Sequence, residues 1–99
     1  MVSMSVEELA ERLKQSKSFR IVDVREELEF YTFNIGGENI PLGSLPVFLE
    51  DANWDVNDEI VVVCQHGIRS KTGCQILTMA GFSNVKNLSG GLLAWRKKN

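Results

Sequence analysis

The hydrophobic positions along the chain follow two different spacings, and these predict short helices and strands in turn. Apolar residues at helical spacing come directly after a Ser-x-x-Glu sequence at 5–8, which is typical of a helix N-terminus, and predict a helix over 6–15. β-Branched runs at 21–24 and 60–63 predict strands. The run 60–63 has no polar residue in alternation, which indicates a strand covered on both faces, as in the centre of a parallel sheet.

The rest of the chain continues this alternation. Further strands are predicted at 37–40 and 85–88, and further helices at 26–31, 45–50, about 70–80 and 91–98. Gly81 stands just past one predicted helix end, where a left-handed residue is favoured. Strands that alternate with helices in a chain of 99 residues predict a single domain over 1–99, a three-layer α/β/α sandwich around a mainly parallel sheet.

Composition and charge narrow the classes of function. The chain is 43% hydrophobic and 24% charged with two prolines, which is typical of a globular domain and excludes disordered and collagen-like chains. Its net charge of -2 argues against a nucleic-acid binder, which normally carries a basic surface. The longest apolar run, 60–64, is too short to span a membrane, and the N-terminus does not resemble a signal peptide. We therefore expect a cytoplasmic protein with neither nucleic acid nor membrane as its partner.

The segment with the clearest chemical potential begins at Cys64, directly after the predicted central strand. It reads Cys64-Gln65-His66-Gly67-Ile68-Arg69, and a helix is predicted to follow it. In parallel sheets ligands bind at the carboxyl ends of strands, and free N–H groups at a helix N-terminus stabilise a thiolate. Gly67 allows the loop to curl, and the positive charges of Arg69, Lys71 and His66 lie nearby in the sequence. Cys64 is therefore a candidate nucleophile, with inert packing of a small apolar side chain as the alternative.

The second cysteine, Cys74, stands in a different context. It falls within the predicted helix beside the apolar stripe and has neither a glycine loop nor a cation arrangement of its own. We expect it to pack in the core. A redox bridge between Cys64 and Cys74 is a further possibility for the two thiols.

Two groups of charged residues follow the first predicted strand. Asp23 and Arg25 flank its end, either as an acid and a substrate clamp or, as we expect, as a structural polar pair that ties the strand end to neighbouring loops. Three glutamates on the short helix that follows are expected to form a solvated face: Glu26, Glu27 and Glu29.

His66 is the one histidine of the sequence. One histidine with one nearby cysteine gives too few ligands for a metal site, so we expect no metal. His66 is instead interpreted as a residue of the loop rim that contacts substrate or modulates the thiolate.

The spacing between Cys64 and Arg69 separates two chemistries. A loop of the cysteine-dependent tyrosine phosphatase type needs one residue more to wrap around a tetrahedral phosphate than the four residues present here. A smaller ring of amides favours a smaller guest, such as the terminal sulfur of a cysteine persulfide.

Four motifs along the chain carry a resemblance to a known family. They are Ile21-Val22-Asp23-Val24-Arg25 with Glu29-Phe30, then Gly36-Gly37-Glu38-Asn39-Ile40-Pro41-Leu42, then Val62-Val63-Cys64 with the loop that ends in Arg69-Ser70, and Asn87-Leu88-Ser89-Gly90-Gly91-Leu92-Leu93-Ala94-Trp95. With these motifs in this order, the chain resembles the single-domain rhodaneses, a family of sulfurtransferases, along nearly its whole length. The resemblance implies a rhodanese-like domain with a central five-stranded sheet. One departure is that many relatives carry Gly-His-Ile where Thr32, Phe33 and Asn34 stand here.

The resemblance also implies a mechanism. The Cys64 thiolate attacks the outer sulfur of a donor such as thiosulfate, holds it as a persulfide and passes it to cyanide or another thiol, without a cofactor. The backbone amides of five residues cradle the persulfide: Gln65, His66, Gly67, Ile68 and Arg69.

Two alternatives to this function remain open. In the first, the domain is a sulfur-relay or protein-binding module that receives sulfur from one protein and hands it to another, with little small-molecule turnover. Gln65 and Ile68 make the loop less basic than a dedicated thiosulfate site, which leaves room for this alternative. In the second, the domain is a cysteine-dependent phosphatase or arsenate reductase, which the loop length disfavours.

Overall fold

The computed structural model describes residues 1–15 and 18–98 and has a parallel sheet at its centre. The strands are β1 (Val2–Met4), β2 (Arg20–Asp23), β3 (Glu38–Asn39), β4 (Glu59–Val63) and β5 (Asn84–Leu88). Within the described residues they form a five-stranded sheet in the order β1-β5-β4-β2-β3, with every neighbouring pair parallel. The predicted α/β class with a parallel central sheet is confirmed.

Helices cover both faces of this sheet. They are α1 (Val6–Leu13), α2 (Glu27–Thr32), α3 (Leu45–Asp51), α4 (Arg69–Met79) and α5 (Gly91–Lys98). Side chains of α1 and α5 pack on one face of the sheet in one hydrophobic core, and side chains of α3 and α4 pack on the other face in a second core. The chain therefore has the three layers that the sequence pattern predicts.

Strand β4 lies in the middle of the sheet and is fully buried over 60–63. Val61 and Val63 face the core shared with α1 and α5, whereas Ile60 and Val62 face the core shared with α3 and α4. Burial of each such side chain is worth about 1.5–3 kcal/mol of transfer free energy. The strand that leads into Cys64 is therefore held from both sides.

Local signals explain the ends of two helices. The Ser5 side chain accepts a hydrogen bond of 3.0 Å from the Glu8 N–H and so caps α1, as the Ser-x-x-Glu sequence predicts. Beyond α4, Gly81 has φ of +104°, the left-handed conformation predicted for this position. The N–H groups of Gly81 and Phe82 return to carbonyls of the last helical turn.

The structure differs from the sequence pattern at several element ends. Helix α1 ends at Leu13 rather than at 15, and residues 16 and 17 lie outside the described part of the chain. Strand β1 was not predicted, because only one of its three residues, Met4, is buried and its hydrogen bonds come from the distant β5. No helix in the described part of the chain is both long and apolar enough to cross a membrane.

Candidate active site

The Cys64 sulfur lies at the carboxyl end of β4, inside the loop 64–69. The side chain is 1% exposed, and its Sγ accepts hydrogen bonds from the backbone N–H groups of Gly67 and Ser70, both at 3.2 Å. Gly67 lies just before α4 and Ser70 lies in its first turn, where N–H groups have no partner within the helix. The structure thus directs two backbone donors at one sulfur, an arrangement that stabilises a sulfur anion.

Gly67 gives the loop its curvature. Its φ of +83° is a conformation that residues with a Cβ rarely adopt, and a Cβ there would lie 3.1 Å from the Gly90 nitrogen. The predicted need for glycine in the loop is therefore confirmed by its backbone conformation.

The start of α5 packs directly against the loop. The Leu92 N–H donates to the Cys64 carbonyl at 2.9 Å, and the Leu93 N–H donates to the Gln65 carbonyl at 3.0 Å. Gly91 allows this approach, because a Cβ on it would lie 2.5 Å from the Cys64 carbonyl oxygen. The loop backbone is thus held by a segment more than twenty residues away in sequence.

Ser70 and Asn87 form a buried polar pair beside the sulfur, and neither was predicted as a site residue. The Ser70 Oγ lies 3.3 Å from the Cys64 Sγ and hydrogen bonds with the Asn87 Oδ1, while the Asn87 Nδ2 donates to the Gly67 carbonyl at 3.2 Å. Ser70 is fully buried and Asn87 is 2% exposed. The sequence did offer one signal for them. Both are polar residues next to segments predicted to be buried, and buried polar side chains require hydrogen-bond partners.

Arg69 is paired with Glu29 of α2. Its Nη1 and Nη2 donate to the two carboxylate oxygens at 2.7 and 2.9 Å, and the Glu26 N–H also donates to Glu29. The hydrogen bonds from Arg69 lower the pKa of Glu29 to about 2, and Glu29 in turn raises the pKa of Arg69. The prediction of a solvated glutamate face is wrong for Glu29, although Glu26 and Glu27 are exposed. Helical spacing could not reveal a partner forty positions away.

The other predicted rim residues differ in exposure. His66, Ile68 and Lys71 are exposed, whereas Gln65 is half-buried. The Arg69 charge lies near the sulfur as predicted, but it is paired with the Glu29 carboxylate. The loop therefore relies on its backbone donors more than on free side-chain cations.

Asp23 and Arg25 form a buried ion pair at the end of β2. The Arg25 Nε and Nη2 donate to the Asp23 carboxylate at 3.0 and 2.9 Å, and Nη2 also donates to the Phe33 carbonyl at 2.6 Å. This geometry ties the strand end to the segment after α2, which is the structural alternative considered for the pair.

A cavity of about 530 Å³ opens beside the loop. Its walls come from α2, α5 and the loop, and include Glu29, Phe33, Gln65 and Arg96. No group of three metal-ligating side chains occurs among the residues that the structure describes.

Cys74 packs in the core between the sheet and α4. It is 2% exposed, and both cysteines are free thiols. Burial, together with the charge of a Cys64 thiolate, raises the pKa of Cys74 to about 11. The expectation that Cys74 packs in the core is confirmed.

Known proteins similar to this chain share its fold along nearly its full length. The chain is 37% identical over 97 residues to the thiosulfate sulfurtransferase GlpE of Shewanella oneidensis, a match that covers 97% of this chain and 93% of that protein. The human single-domain sulfurtransferase TSTD1 superposes with a TM-score of 0.88 at 27% identity, covering 100% of this chain and 98% of that one. A rhodanese-like domain protein of Staphylococcus aureus superposes with a TM-score of 0.86 at 31% identity, covering 96% of this chain and 91% of that one.

A family model described as a rhodanese-like domain matches residues 5–98. The Cys64 loop and the strands that carry it lie within that match. The chain therefore belongs to the rhodanese-like family, and its relatives include proteins named as sulfurtransferases.

Proposed function

We propose that this protein is a sulfurtransferase that carries a sulfane sulfur as a persulfide on Cys64. The proposal rests on one observation. The Cys64 Sγ at the end of β4 accepts hydrogen bonds from the N–H groups of Gly67 and Ser70, at 3.2 Å each. These donors stabilise negative charge on Sγ in the thiolate, because N–H groups replace the water that burial removes.

In the first half-reaction, the Cys64 thiolate attacks the outer sulfur of thiosulfate. The new sulfur–sulfur bond forms as the sulfur–sulfur bond of thiosulfate breaks, and sulfite leaves with the electron pair of that bond. The product is a persulfide whose terminal sulfur carries the negative charge. The loop amides support this charge where it develops.

In the second half-reaction, a nucleophilic acceptor removes the terminal sulfur. Cyanide attacks that sulfur, thiocyanate leaves, and the electron pair of the persulfide bond returns to Cys64 as the thiolate. A thiol acceptor reacts in the same way and becomes a persulfide itself. No cofactor enters either step, since each is a displacement at sulfur.

The cavity beside the loop provides the approach for donor and acceptor. Gln65 and Glu29 border it, and Arg96 of α5 lies on its other side. Residues that line the cavity therefore select the partners, and the buried Cys64 sulfur performs the chemistry.

The direct test is to follow sulfur on the protein by intact-mass spectrometry. Treatment with thiosulfate is expected to add one sulfur atom, and cyanide is expected to remove it with release of one thiocyanate. Cys64→Ser is expected to do neither, and Cys74→Ser serves as the matched control that retains both steps. A pure, folded protein that gains no sulfur from any sulfane donor would contradict the proposal.

The same variants test phosphatase chemistry. Hydrolysis of an aryl phosphate that Cys64→Ser abolishes would favour a phosphatase and count against the sulfurtransferase. We expect no such hydrolysis, because the loop is one residue short for a phosphate.

A sulfur-relay role is the second candidate function, and the rim favours it. Ile68 is 69% exposed at the loop surface, and Arg69 is paired with Glu29, so these two loop residues offer little free positive charge to thiosulfate. The discriminating measurement compares kcat/KM for thiosulfate with kcat/KM for a persulfidated protein donor. Faster transfer from the protein donor would identify a relay, and comparable or slower transfer would leave thiosulfate as the primary donor.

A further inference from the structure

In the Ser70–Asn87 pair, the positions of the hydrogen atoms follow from which atoms can donate and which can only accept. The Gly67 carbonyl only accepts, so the Asn87 side chain must present Nδ2 to it, and its Oδ1 must therefore face Ser70. Because an amide oxygen also only accepts, the single hydroxyl proton of Ser70 is donated to Asn87. The Ser70 oxygen is then left as an acceptor for the Cys64 S–H, 3.3 Å away.

This arrangement suits a neutral thiol and does not suit a sulfur anion. A thiolate at Cys64 has no proton to give, and it would face the lone pairs of the Ser70 oxygen. The Ser70 hydroxyl can stabilise the anion only if it rotates so that its proton points to the sulfur instead of to Asn87. This rotation leaves the buried Asn87 Oδ1 without its donor, and a buried acceptor without a donor is unfavourable.

We propose that the Ser70 hydroxyl has two positions, donating to Asn87 when Cys64 is a thiol and to the sulfur when Cys64 is an anion. Asn87 is then a positioning residue that holds the resting site in the thiol form. The proton of Cys64 leaves to solvent, and the hydroxyl proton stays on Oγ while the hydroxyl rotates. The inference rests on the proposed sulfur chemistry, in which the anion is the reacting form.

Other charged and titratable groups lie around the loop, and two of them, Arg69 and Cys74, interact electrostatically with Cys64. They come from the end of β2, from α2, from the loop and from the helices beside it: Asp23, Arg25, Glu29, His66, Arg69, Cys74 and Arg96. The test must therefore compare variants that leave all of these residues unchanged.

The test is a double-mutant cycle read by the pH dependence of Cys64 alkylation with iodoacetamide. Asn87→Leu removes the acceptor and frees the hydroxyl for the sulfur, so the midpoint pH is expected to fall by about one pH unit, the effect of one hydrogen bond to an ionised group. Ser70→Ala is expected to move the midpoint little, because it removes an acceptor from the thiol and a donor from the anion together. Asn87→Leu added to Ser70→Ala is expected to produce no further shift.

The cycle distinguishes an effect of Asn87 through the Ser70 hydroxyl from a merely structural effect of Asn87. An equal shift from Asn87→Leu with and without Ser70→Ala would mean that Asn87 acts through its bond to Gly67. An unchanged midpoint when Asn87→Leu is made in the protein that retains Ser70 would mean that Asn87 does not hold Cys64 in the thiol form. Either result overturns the inference. Asn87→Ala replaces Asn87→Leu if circular dichroism shows that the larger side chain prevents folding. Alkylation needs no sulfur donor, so failure of sulfur transfer and failure of this inference are distinguishable.

Discussion

Cys64 and Cys74 are buried to nearly the same extent, with exposed fractions of 1% and 2%, but their surroundings differ in kind. The Cys64 sulfur receives two backbone N–H donors at the end of a strand. Cys74 sits on α4 among apolar side chains of the core, and burial raises its pKa to about 11.

Burial alone therefore does not decide the chemistry of a thiol. Removing a sulfur anion from water is unfavourable unless protein donors replace the water. At Cys64 the loop provides these donors, whereas Cys74 is surrounded mainly by apolar side chains of the helix and sheet. The two cysteines are thus an internal comparison in which we expect position, rather than depth, to set reactivity.

The largest expected effect is a difference in alkylation between two single-thiol variants. Cys74→Ser leaves only Cys64, and Cys64→Ser leaves only Cys74. With a pKa of about 11, Cys74 carries a thiolate fraction of about one in a thousand at pH 8. We expect iodoacetamide to modify Cys64 faster by on the order of a hundredfold. Similar rates, measured by intact mass over time in folded protein, would remove the distinction between the two thiols.

The next expected effect concerns the backbone that shapes the Cys64 loop. Gly91→Ala places a Cβ 2.5 Å from the Cys64 carbonyl oxygen, so the loop must shift, and we expect sulfur transfer to fall roughly tenfold to a hundredfold. Gly36→Ala is the matched control, because Gly36 also has positive φ, at +93°, but a Cβ there meets nothing within 4 Å. Steady-state transfer from thiosulfate to cyanide measures both. Equal losses in the two variants would mean that backbone strain, and not the contact with the loop, is responsible.

A smaller effect is expected on stability at alkaline pH, from Cys74. Its pKa is raised from 9.0 to about 11 in the folded protein, so the unfolded chain loses this proton first as pH rises. The stabilisation is fully present below pH 9 and is lost as pH rises towards 11, by roughly 2–3 kcal/mol of unfolding free energy. Urea unfolding at several pH values should show that Cys74→Ala lacks this decline. Parallel pH profiles for the two proteins would contradict the assignment.

The smallest expected effect comes from the rim of the Cys64 loop. Glu29→Gln leaves the Arg69 charge uncompensated, and we expect KM for the thiosulfate anion to fall by about threefold, with the gain reduced by salt. Because the pKa of Glu29 is about 2, the pair remains ionised throughout the assay range in the unaltered protein. Glu27→Gln, on the exposed side of the same helix, is the control for net charge. A matching fall in KM with Glu27→Gln would assign the effect to overall charge.

Local pattern predicted the parts of the molecule that depend on local structure. The apolar run 60–63 identified the central strand, and Gly67 identified a turn with positive φ. Short-range spacing also placed Cys74 on the buried side of a helix. Each of these follows from residues within one or two turns of each other.

Contacts between distant residues were not predictable in the same way. The Glu29–Arg69 pair joins residues 40 positions apart, and the Ser70–Asn87 bond joins residues 17 apart. Strand β1 exists because β5 offers a parallel edge to it, which its own three residues do not reveal. The candidate nucleophile could therefore be chosen from the sequence, but its supporting polar residues required the fold.

The hydrogen bonds from Leu92 and Leu93 to the carbonyls of Cys64 and Gln65 also have a consequence for protein synthesis. The ribosome makes the loop before it makes the helix that holds it. A nascent chain that has exposed Cys64 but still has 87–93 inside the exit tunnel lacks both the Asn87 partner and the α5 donors. The hydrogen bonds that hold the Cys64 loop therefore form only after this later segment has emerged.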